Sequence, residues 1–136
     1  MPTILLCLVL QDPLEIKDLQ GTWKGARFTE GGPGQDVEKG EKLVLVFQGK
    51  HLIVRKANNS LVGEADVGLS ADGKELDATG TTGGYRNKLY PGRVKLDGDT
   101  LLICISGTAG KNAKRPGGFT ADPGSAHYLI VATRQR

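Results

Sequence analysis

The chain has 136 residues, 14.4 kDa and a formal charge of +3, with 38% hydrophobic and 24% charged residues. These values fit a folded soluble-type chain, for which one domain is the natural reading, and no low-complexity tail is evident. The charge is uneven. Residues 1–85 carry nine basic and twelve acidic side chains, net −3, and residues 86–136 carry nine basic and three acidic, net +6.

Residues 3–10, Thr-Ile-Leu-Leu-Cys-Leu-Val-Leu, form an apolar run too short to span a bilayer. No basic residue precedes it and no Ala-x-Ala site follows. Three readings stay open: a signal peptide shortened by a late start codon, an extra strand or arm, and an anchor. The division is therefore residues 1–11 as a leader or arm and 12–136 as one domain. Asp12-Pro13-Leu14-Glu15 has the spacing of a helix start, so a short N-terminal helix is expected before Gly21.

From Gly21 onward the texture is β. Strands are predicted at about 21–29, 42–48, 51–57, 62–69, 74–80, 87–96, 100–106 and 126–134, from apolar alternation between turn signals. Gln48-Gly49-Lys50, Asp72-Gly73 and Asp97-Gly98 read as hairpin turns, and Ala57-Asn58-Asn59-Ser60 as a fourth turn. Eight strands joined mostly by hairpins point to an all-β, up-and-down antiparallel barrel. Two connections are long, 30–40 and 107–123. The second is glycine-rich and basic, as expected of a lid or binding loop.

Several chemistries lack support. His51 and His127 are the only histidines and stand far apart, so no metal site is expected. Ser125 and His127 share a strand face but lack an evident orienting acid, so no catalytic residue is assigned. Asp97-Gly98-Asp99 is explained by turn formation, and Glu64 and Asp66 share one strand face. Gly107–Asn112 fails the spacing of a phosphate loop. Tyr85, Tyr90, Phe119 and Tyr128 match no nucleic-acid module, and none is expected as a partner. Cys104, inside Leu101–Ile105, reads as a small core residue. No cofactor is assigned, and an aromatic content of only 5% disfavours a large flat one such as haem.

Leu19-Gln20-Gly21-Thr22-Trp23, Leu96-Asp97-Gly98-Asp99-Thr100-Leu101, Arg115-Pro116 with Phe119, and Pro123-Gly124-Ser125 resemble an uncharacterised small domain abundant in planctomycetes. The resemblance spans about residues 18–134 and implies no activity. The pattern also resembles the lipocalin-like (calycin) barrels. That likeness implies that Trp23 packs under Arg134, as a structural pair.

The expected function is non-enzymatic: a small-ligand-binding or interaction module of the bacterial cell envelope, with its ligand at the barrel mouth. A small enzyme using the same mouth and a filled, purely structural barrel are the alternatives. The ligand is expected to be small and anionic or amphipathic, held by Lys111, Lys114, Arg115 and Phe119. Inward Arg27, Arg55, Arg93 and Tyr128 would favour an anion, and a filled aliphatic interior would favour structure alone. Membrane contact is expected only from the leader. The leader points to export, with a cytoplasmic location as the alternative. The oligomeric state stays open.

Overall fold

The computed structural model describes residues 13–110 and 112–135. Eight strands form one closed antiparallel barrel in which each pairs with its sequence neighbours. They are β1 (Gly21–Phe28), β2 (Glu41–Gln48), β3 (His51–Lys56), β4 (Leu61–Leu69), β5 (Glu75–Gly80), β6 (Leu89–Asp97), β7 (Thr100–Ser106) and β8 (His127–Arg134). The barrel closes through β1 and β8, in register from Trp23↔Arg134 to Phe28↔Leu129. A Cβ at Gly25 would lie 1.8 Å from the Val131 carbonyl oxygen, so glycine is what lets the two strands meet at this seam.

Alternation along the strands builds the core. Trp23, Leu43, Leu45, Phe47, Leu76, Leu101, Ile103 and Ala132 belong to one buried cluster inside the barrel. The expected N-terminal helix is a single 3-10 turn, Ile16–Leu19. Its start is a capping box between Glu15 and Asp18, and Asp12 lies outside the described residues. β1 begins at Gly21, which leaves too few residues to repay helix nucleation.

That turn closes one end of the barrel. Trp23 is fully buried, and its indole N–H donates to the Leu19 carbonyl at 2.9 Å. The Arg134 guanidinium lies 4.2 Å from the indole centroid. It donates to the carbonyls of Gln20 and Asp18 at 2.8 and 2.7 Å. A stacked cation contributes roughly 0.5–2 kcal/mol, and here it also satisfies carbonyls left over by the turn.

A second cluster lies on the opposite strand faces. Ala26, Phe28, Leu102, Cys104, Leu129 and Val131, from β1, β7 and β8, pack with Ala121 and Phe119 of the long β7–β8 connection. Gly31 and Ala121 exchange two 2.9 Å backbone hydrogen bonds, which joins the two long loops. The connection therefore runs as a belt along the outer wall.

Candidate functional site

The strand faces turned inward on β4 and β5 carry small residues: Gly63, Ala65, Ala78 and Gly80. Leu43 and Leu45 of β2, Leu52 of β3 and Ile130 of β8 line the same space. Between these walls the barrel holds a cavity of about 240 Å³. This is just under the range of small-molecule pockets, about 300–1,000 Å³. Its floor is aliphatic. Its neck carries Arg27, Ser106, Tyr85, Tyr90 and Tyr128.

The neck sits at the end of the barrel away from Trp23. Tyr85 comes from the short turn Gly83–Tyr85 between β5 and β6 and meets Tyr90 edge-on, with centroids 6.0 Å apart. A Cβ at Gly80 would lie 2.0 Å from the Tyr85 carbonyl oxygen, so glycine lets that turn fold against the strand end. Burial, and to a lesser extent Tyr85, push the Tyr90 phenol above its ordinary pKa, so it is a neutral donor and acceptor at physiological pH. Arg27 stacks over Tyr128 at 5.0 Å and pairs with Glu41. Its charge is thus matched at the neck. Ser106 faces Thr108, donating to its carbonyl at 2.9 Å.

The residues expected to bind ligand lie elsewhere. Arg115 donates to Asp77 at 2.7 Å and to the carbonyls of Gly92 and Leu76 at 2.8 and 3.3 Å. Arg93 donates to the Pro116 carbonyl at 2.6 Å. These bonds fasten the belt to β5 and β6. Phe119 packs on the second cluster, and Lys114 accepts His127 Nε2 at its carbonyl, 3.2 Å away. None of the three lines the cavity, and Lys111 lies outside the described residues. Of the four polar residues whose inward placement would favour an anion, Arg27 and Tyr128 line the cavity, while Arg55 and Arg93 do not.

His51 lies on the strand face opposite the cavity-lining Leu52 and Ala65. Its Nε2 meets Glu64 at 2.8 Å and its Nδ1 meets Asp66 at 3.0 Å. The hydrogen bond to Glu64, then that to Asp66, raise the imidazole pKa. Two carboxylates on opposite ring nitrogens favour the imidazolium, which offers no lone pair to a metal. Among the described residues no group of three or more His, Cys, Asp or Glu is arranged to hold one. Ser125 donates to the Asp122 carbonyl at 2.6 Å, and the His127 ring turns to Lys114, so this pair forms no nucleophile–base contact. Asp97 and Asp99 flank the β6–β7 turn at the closed end.

The residues that sequence reasoning missed are the small ones. Gly63, Ala65, Ala78 and Gly80 alternate along their strands, which is a readable signal strand by strand, but the space they leave depends on the register of β4 against β5, where Ala65 faces Gly80. Comparison with protein-family models, curated proteins and solved structures finds no match for this chain.

Proposed function

We propose that this protein binds a small, mainly apolar molecule inside the barrel, with a polar end at the neck. The observation that carries the reading is the cavity of about 240 Å³, aliphatic below and ringed by tyrosines above. Such a pocket suits an apolar body with one hydrogen-bonding group. Because Glu41 already balances Arg27, a neutral polar end fits better than an anionic one. The resemblance of Gly21-Thr22-Trp23 and Arg134 to lipocalin-like barrels supports the same reading. The apolar run at residues 3–10 favours a cell-envelope location.

Native mass spectrometry of protein from its own host, followed by titration with 1-octanol and octanoate, tests this. The expected result is a retained small molecule, and 1-octanol binding more tightly than octanoate. Ala78→Leu, which places a larger side chain in the cavity, abolishes octanol binding while the protein stays folded. Failure to retain a molecule and to bind either probe would overturn the reading.

A further inference from the structure

The four exposed large hydrophobic residues among those described are Val37, Leu61, Tyr85 and Leu89, at 37–47% relative exposure. All four lie at the open end. Leu61 begins β4 and Leu89 begins β6, and Tyr85 sits on the turn between β5 and β6, beside Gly63 of β4. These last three thus occupy one arc of the rim, across β4 to β6.

The charge along this arc is mainly positive, and the nearest carboxylate, Glu64, is paired with His51. Residues 55–63 and 81–89 contain Arg55, Lys56, Arg86 and Lys88 and no carboxylate. Lys56, Arg86 and Lys88 have no ion pair among the described residues. Arg55 donates to the Asn59 carbonyl at 3.4 Å. The β1–β2 connection, 30–41, which adjoins the end of β3, carries Glu30, Asp36, Glu38 and Glu41, with Lys39 the one cation.

We propose that the β4–β6 arc of the open rim docks on an anionic lipid surface, with Leu61 and Leu89 entering the interface, Tyr85 at headgroup level, and the four cations over the lipid headgroups. Two exposed leucines and a tyrosine ringed by unpaired cations match the mixed chemistry of that surface. A nucleic-acid backbone would use the cations and leave the leucines idle. A symmetric pairing of two copies would set cations against cations. The cavity opens beside this arc, and a fluid lipid surface can close over such an opening. The proposal extends membrane contact beyond the leader expected from the sequence, and it does not depend on what the cavity holds.

Pelleting of the full chain with sucrose-loaded vesicles tests it, using phosphatidylcholine with and without phosphatidylglycerol. The expected result is binding to the anionic vesicles alone, released by salt. K56Q/K88Q lowers the partition coefficient roughly 25-fold, at about fivefold per cation. L61S/L89S lowers it roughly tenfold through lost apolar burial. In a Tyr85→Trp variant the emission shifts to the blue on anionic vesicles. Three results would overturn the proposal: no binding, rim variants that pellet like the wild type, or heparin binding equally to the wild type and L61S/L89S. The second assigns vesicle binding to another segment, and the third assigns the rim to a polyanion.

Discussion

At the closed end, Leu19, Trp23 and Arg134 fill the barrel, and the carbonyls of Asp18, Gln20 and Leu19 all find donors. At the open end, Tyr85, Tyr90, Tyr128 and Arg27 surround space that β4 and β5 leave by carrying glycine and alanine. Both ends are ends of the same eight strands. What separates them is where the chain spends its large side chains. One end ties tryptophan and arginine to backbone oxygens and gains stability. The other keeps its aromatic residues at a rim, with a cavity behind them.

The strongest challenge to this contrast is a pair of truncations. Trp23→Ala should cost roughly 3–5 kcal/mol, the range for large aromatic residues removed from a core. Tyr85→Ala should cost under about 1 kcal/mol, because its exposed side chain leaves little void. Denaturant unfolding measures both. Equal costs would mean that the open end is as structural as the closed one.

The belt tests whether the long open-end loop is independent of the wall. Phe119→Ala should cost roughly 1–2 kcal/mol, as partial loss of an aromatic contact. It should also uncover Cys104. That thiol is fully buried, and burial, helped by the Asp122 carboxylate, raises its pKa, so it is protonated and slow to react. Maleimide labelling in a Cys7→Ser background should be slow in otherwise native protein and markedly faster with Phe119→Ala. Unchanged labelling would show a loop that does not shield the wall.

The smallest effect concerns His51, on the closed-end side of β3. Its folded pKa is raised, so the Glu64 and Asp66 contacts stabilise the fold fully below the unfolded value near 6.5. That contribution is lost as pH rises through the higher folded-state value. The size should be under about 1 kcal/mol, as for other partly exposed ion pairs. His51→Gln should remove this part of the pH dependence. Urea midpoints for both proteins at pH 5 to 8 would check it, and a wild-type profile that tracks the variant would remove the ion-pair assignment.

Strand positions were legible because alternation and hairpin glycines are local signals. The plug was legible through a resemblance, that of Gly21-Thr22-Trp23 and the last strand's arginine to the lipocalin-like barrels. The anchoring of the β7–β8 connection was not legible, because glycine and lysine content reports freedom only when nothing distant holds the chain. Here Arg115 reaches Asp77, 38 residues away in sequence, and Phe119 finds apolar partners on three strands. The cavity was hidden for a related reason. Its size depends on Ala65 facing Gly80 across β4 and β5, a register that no single strand reveals. The rim arc likewise draws on two stretches that only the closed sheet brings side by side.

The pairing of Trp23 with Arg134, and the bond from the Gln135 amide to the Thr22 carbonyl, bring both ends of the described chain out beside the plug. The molecule therefore has a handle and an aperture at opposite poles. A partner held rigidly at the described ends, Pro13 or Gln135, grips the molecule by the sealed pole and leaves the aperture facing outward.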